Sequence, residues 1–165
     1  QNMAFIVRNP IIGIQAIADT STTKNHPLGT IVVADDPTYG SGEFIFLKGM
    51  ASTVLGSVVV YNTDDYSTTL AVANAVGPVA VAMSICVADK AGWYQIGGKG
   101  VAKVLALFAD NADCYLTATD GRVDDSDVAG DYIRGMKGAS AVGTPSAGLA
   151  EVELWRPQVA DGKDN

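Results

Sequence analysis

Between Pro78 and Val87 large and small side chains alternate without a break, Val79, Val81, Met83, Ile85 and Val87 against Ala80, Ala82, Ser84 and Cys86. A period of two places each set on its own face of a β-strand, whereas the helical period of 3.6 would mix them. The stretch therefore reads as a central strand, one face filling a core and the other pressed by a second layer.

Shorter strand patterns flank it. Gly29–Ala34 is closed by the turn cluster Asp35–Gly40, and Glu43–Lys48 follows, rich in aromatic and β-branched residues. Ser57–Tyr61 and Thr68–Val72 lead into the central strand. Beyond it come Trp93–Ile96, a turn at Gly97-Gly98-Lys99-Gly100, and Val101–Leu107. Cys114–Thr119 ends at the turn pair Asp120-Gly121, Tyr132–Lys137 follows, and Leu149–Arg156 closes the series with Ala150, Val152 and Leu154 on one face. Helical turns have room only in the Ala-rich pieces Leu70–Val76 and Ala102–Ala109. The pattern predicts an all-β fold, a mostly antiparallel β-barrel or sandwich of about ten short strands. Residues 1–27 lack sustained periodicity and read as an extended N-terminal arm with at most one edge strand, dependent on a partner for its order. Residues 28–158 form the single β-rich domain, and 159–165 a frayed tail.

Composition narrows the class without naming a chemistry. At 165 residues and 48% hydrophobic content the chain is long enough to bury a sizeable core. The 11 basic side chains are scattered singly among 18 acidic ones, for a net charge of −7. No basic stripe is present for a phosphate backbone, so no nucleic-acid partner is expected. No apolar run reaches the ~20 residues that span a bilayer, so no membrane partner is expected either. Phe5–Val7 is too short for a secretory leader, and Arg8 follows rather than precedes it. Cys86 and Cys114 sit in apolar patterns and read as buried free thiols rather than a disulfide framework.

Candidate chemistry is sparse. His26, the only histidine, lies between Asn25 and Pro27 in the polar arm and reads as an incidental loop residue. The Gly97–Gly100 run lacks Walker spacing and joins strand to strand, so it offers no helix N-terminus to a phosphate. Asp124, Asp125 and Asp127 lack the spacing and closing Glu of a calcium loop and read as a solvated acidic loop, like Asp35-Asp36 and Asp64-Asp65 in their turns. No carboxylate pair is singled out for glycoside hydrolysis. The expectation is a protein with no catalytic residue, no metal site and no cofactor. The aromatics Tyr39, Phe44, Phe46, Tyr61, Tyr66, Trp93, Tyr94 and Trp155 read first as core or subunit-interface residues. They also leave open an alternative, a β-structured glycan-binding or adhesion module.

One series of segments carries a resemblance. Gly56–Val60 is followed by Gly77–Ala82, Gly92–Ile96, Ala112–Leu116, Thr119–Val123, Ile133-Arg134-Gly135 and Ala150–Leu154. In this order they resemble the small head-decoration, or cement, proteins of tailed bacteriophages, over roughly Gly29–Arg156. The arm is additional to that pattern, and Arg134-Gly135 stands where it favours Gly-x-Ala. The resemblance implies a structural virion protein, assembled in the host cytoplasm. It would sit on the outer surface of an icosahedral capsid, bridge subunits of the phage major capsid protein, and associate with itself as a homotrimer. In that setting the arm is the expected capsid contact, with Phe5, Ile6, Ile11, Ile12 and Ile14 as apolar anchors and Arg8 among them.

Overall fold

The computed structural model describes residues 5–8 and 12–160. Ile11 and the tail residues 161–165 lie outside the described residues. In chain order the strands are β1 (Ile6–Val7), β2 (Thr20–Ser21), β3 (Ile31–Asp36), β4 (Gly40–Lys48), β5 (Val58–Tyr61) and β6 (Thr68–Leu70). They continue with β7 (Gly77–Ala82), β8 (Ala91–Lys103), β9 (Asp113–Leu116), β10 (Val123–Asp124), β11 (Tyr132–Gly138) and β12 (Leu149–Val159). Among the described residues there is no helix; the two Ala-rich pieces are strand ends and turns.

Among the described residues every strand pairing is antiparallel, and the twelve strands belong to one sheet whose main path runs β1-β3-β4-β8-β7-β12-β11-β9-β10. β5 lies between β6 and β7, β2 pairs with β8, and β8 also pairs with β12. The sheet is not closed by a continuous ladder; a single parallel bridge, Val104 to Val123, brings β10 back against the end of β8. The all-β, mostly antiparallel expectation therefore describes the chain.

Three apolar layers result. The strand β4 is buried on both faces, with Phe44 and Phe46 in one layer and Ile45 and Leu47 in another. On β7 the small residues Ala80 and Ala82 meet Ile45, Leu47, Val59 and Tyr94, while Val79 and Val81 face the layer of Val58, Leu116, Ile133 and Val152. Large and small faces thus pack against different layers, as the alternation implied. The strand is shorter than the pattern, however, ending at Ala82. Beyond it the chain bends at Met83-Ser84, leaving Ile85 62% exposed and Cys86 buried. Met83 N still donates to Trp93 O on β8, but after it the backbone leaves the sheet: Met50 N, from a loop, donates to Cys86 O, and Lys90 N closes a turn on Val87 O.

The Gly97–Gly100 run is not a turn. β8 passes straight through it, pairing with β4 over Ala91–Gly98 and with β12 over Gly97–Lys103. The glycines let one strand serve two neighbours. Gly98 has φ +85°, and a Cβ there would collide with the Ser41 carbonyl. A register shift between Glu43 and Phe44 marks a bulge at this point. The fully buried Gln95 caps the disruption, its Nε2 donating to Gly97 O at 3.1 Å and Lys99 O at 3.0 Å. Gly100 is small because the Gln95 amide fills the space where its Cβ would stand. Two expected strands fuse into β8 for this reason, and the two-residue strands β1, β2 and β10 are added.

The described part of the arm packs on the body. Phe5 and Ile17 are buried, β1 pairs with β3, and β2 pairs with β8. The Phe5 ring meets Phe44 edge-on at 4.8 Å. Gln15 is the hub: its N–H donates to His26 Nε2 at 3.0 Å, and its carbonyl accepts Trp93 Nε1 at 3.0 Å. Its side-chain amide donates to Asp19 O, and its Oε1 accepts from Ser21 Oγ and Asn25 Nδ2. His26 is buried between Phe46 and Trp93, with ring centroids 5.3 and 5.4 Å away, so it is a core staple rather than an incidental loop residue. Polar side chains satisfy the backbone here, which is why a stretch without apolar periodicity holds one conformation.

Candidate functional site

The expected anchors divide into two groups. Phe5 is buried and Ile14 half-buried, both in the layer of Phe44, Phe46 and Trp93, so these two attach the arm to its own domain. Phe5 is thereby corrected as an outward anchor, because its ring is used up in the core. Ile6, 71% exposed, and Ile12, fully exposed at a turn, point away from the body. The Arg8 guanidinium grips the Asp35 carboxylate on β3, with Nη2 2.9 Å from Oδ1 and Nε against Oδ2.

Register places Ile6 and Arg8 on a larger surface. Ile6 lies opposite Asp35, Asp35 opposite Ser41, and Arg8 N donates to Val33 O. Val33 lies opposite Glu43, Glu43 opposite Gly97, and Gly97 opposite Trp155. Opposed residues on paired strands share a face, so one outward row runs Val33, Glu43, Gly97, Trp155 across β3, β4, β8 and β12. Ile31, 41% exposed, stands on the same face of β3.

At the β12 end of this row lies a groove of about 520 Å³, with Gly97 and Gly98 in its floor and Trp155 at its wall. Trp155 is 61% exposed. Arg156 Nε donates to Glu43 Oε2 at 3.0 Å across the strands. That reach depends on a second bulge, where the β11–β12 register shifts between Arg134 and Met136 and Arg156 adopts φ +47°. The left-handed backbone turns Arg156 outward directly after Trp155, breaking the alternation that buries Val152 and Leu154. Trp155 was visible in the sequence only as one of several aromatics. Glu43 and Arg156 were missed, and the sole local signal is the disturbed in-out pattern at Trp155-Arg156-Pro157.

Reactive side chains elsewhere are occupied or insulated. Both cysteines are free and buried. Burial pushes the Cys114 thiol up to about 12, with the charges of Asp113 and Asp125 adding to the effect. Burial likewise raises Cys86, and also Tyr94, whose hydroxyl lies beside Cys86, Thr68 and Thr53. In the acidic loop Asp124 Oδ2 accepts from Ser126 Oγ, and Asp125 Oδ2 from Ala109 N. Nearby, Asp131 Oδ1 accepts from Asn74 N. At the turn after β5, the Ser67 hydroxyl and amide, then Lys48, hold the exposed Asp65 carboxyl down at about 2. These carboxylates tie loops. Among the described residues no three His, Cys, Asp or Glu side chains converge as a metal site, and no helix is long and apolar enough to cross a membrane.

No protein-family model and no curated protein matches the chain in sequence.

Proposed function

We propose that this protein is a structural virion component that decorates and stabilises an icosahedral phage capsid by bridging subunits of the major capsid protein. The observation that carries the reading is the division of labour within the arm. Phe5, Ile14, Ile17 and His26 are committed to the protein's own core, while Ile6 and Ile12 face solvent. Exposed β-branched side chains, Ile6 on the edge strand β1 and Ile12 at a turn, contribute little to their own fold and offer apolar area to a partner. The resemblance to cement proteins supplies the partner, the phage major capsid protein, and the homotrimeric assembly. The segments carrying that resemblance lie in β5, β7, β8, β9, β11 and β12 and in the β9–β10 turn, so they account for the scaffold rather than the contact.

The role needs no catalysis. A module that binds only the assembled lattice stabilises it by mass action, and repetition over many sites turns a modest contact into resistance of the whole shell. Since the arm is docked before binding, less conformational entropy is lost on the capsid than a free arm would lose.

The test is direct. Mass spectrometry of purified virions should find hundreds of copies per particle, and co-sedimentation should show binding to capsids stripped of the protein. An Ile6→Asp, Ile12→Asp double variant should lose capsid binding with its melting temperature within about 2 °C of the parent, because both positions are exposed. Absence from virions would end the reading. Unimpaired binding by the double variant would move the contact elsewhere.

A further inference from the structure

We infer that the groove at the junction of β4, β8 and β12 is a binding site for an uncharged saccharide, with Trp155 as the stacking platform and Glu43 and Arg156 as the hydroxyl-recognising pair. The inference stands apart from the capsid reading and uses different residues.

Two bulges on neighbouring strand pairs converge on this one place. One, between β4 and β8, lets the glycine floor form; the other, between β11 and β12, turns Arg156 toward Glu43. Bulges commonly re-aim a side chain beside a functional site. A left-handed backbone at a residue with a Cβ costs roughly 1–2 kcal/mol; at Arg156, φ +47°, it resets the strand so that Trp155 and Arg156 both face outward while Pro157 and Val159 return to the core. The Arg156 side chain is 64% exposed, so the ion pair it reaches is worth little to stability. The bulge thus leaves the indole and the ion pair as neighbours on the outer face, where a ligand can reach both.

The chemistry of the lining selects the ligand class. The Glu43 carboxylate lies over Gly97, its Cβ, Cγ and Oε2 within 3.2–3.4 Å of where a Gly97 Cβ would be. The floor therefore presents one carboxylate and one guanidinium bound to each other, beside an indole face. Paired charges of opposite sign give no net attraction to an anion or a cation. A flat aromatic ligand would stack on Trp155 but would desolvate the ion pair without bonding to it, at a cost. A sugar ring supplies both parts: an apolar C–H face for the indole, and hydroxyls that both donate and accept. Carboxylate oxygens accept from those hydroxyls, guanidinium N–H groups donate to them, and Ser41 adds an exposed hydroxyl at the rim. The volume, about 520 Å³, lies within the ~300–1,000 Å³ of small-molecule sites.

The experiment uses the whole chain on an array of neutral and acidic glycans, followed by calorimetric titration with the best neutral oligosaccharide. Binding should alter the fluorescence of the exposed Trp155 and leave that of the buried Trp93 unchanged. Trp155→Ala should lower affinity by at least about tenfold, equivalent to ~1.4 kcal/mol. Glu43→Gln and Arg156→Ala should each weaken binding, and Trp155→Phe should retain part of it. Melting temperature checks folding of each variant, and capsid co-sedimentation of Trp155→Ala should match the parent. Binding of no neutral glycan, a preference for acidic glycans, or binding unchanged by Trp155→Ala would overturn the inference. So would loss of capsid binding in Trp155→Ala without any glycan binding, which would make the groove part of a protein interface.

Discussion

Replacing Ile17 by Ala separates an arm that is built into the domain from one that waits for a capsid. Ile17 is 2% exposed and packs in the layer that holds Phe44, Phe46 and Trp93. The substitution removes three carbons, worth ~0.8 kcal/mol each in burial, or about 2.4 kcal/mol. The cavity left behind adds to this, giving about 3 kcal/mol in all, within the usual range for Ile→Ala. For a chain of 165 residues that corresponds to a fall of roughly 6–12 °C in melting temperature. Urea unfolding of the isolated protein, followed by the fluorescence of buried Trp93, measures it: the midpoint should drop while the slope stays constant. An arm that orders only on a partner would give a change below about 0.5 kcal/mol in the free protein. That result would refute the docked arm and with it the roles of Gln15 and His26. The same logic reverses a simple expectation from the sequence. Deleting residues 1–27 should not leave an intact domain, because it strips Phe5, Ile17 and His26 from that layer and removes the strands β1 and β2 that pair with β3 and β8.

Three further outcomes follow from the fold. Gly100→Ala should cost about 1–3 kcal/mol in chemical denaturation, since the new Cβ displaces the Gln95 amide from Gly97 O and Lys99 O; a neutral Gly100→Ala would show that the bulge does not rely on Gln95. Neither cysteine should react with iodoacetamide at pH 8 in the native protein, and both should react in urea; labelling of the native form would contradict their burial. The folded Cys114 value of about 12 lies above the ordinary 9.0, so unfolding releases its proton first as the medium becomes alkaline. Its contribution to stability is complete below about pH 9 and is lost progressively between 9 and 12. Cys114→Ala should flatten that decline in a series of melting curves, and an unchanged slope would assign the alkaline loss to other groups.

The alternation of apolar and small residues was enough to reveal the class of the fold, because a period of two is a local property of the backbone. β3, β4, β5, β6, β9, β11 and β12 all lie where alternation and turn residues place strands. The same local signal overran at Pro78–Val87, where side chains continue to alternate after the backbone has lost its strand partner. It also misread Gly97–Gly100. Glycines that end a strand and glycines that let one strand change neighbours look identical until the colliding Ser41 carbonyl and the Gln95 amide are in place. The arm was misjudged for a related reason: its order comes from Gln15, His26 and Trp93 bonding across up to 78 positions, which no periodicity records. The site lies furthest from what local pattern can express. Val33, Glu43, Gly97 and Trp155 belong to four strands and become neighbours only through register. The chain itself determined strands, turns, charge and the lack of a catalytic motif. Tertiary structure decided which apolar residues were left outside and which charged pair would stand beside an exposed indole, because those depend on contacts between segments distant in sequence.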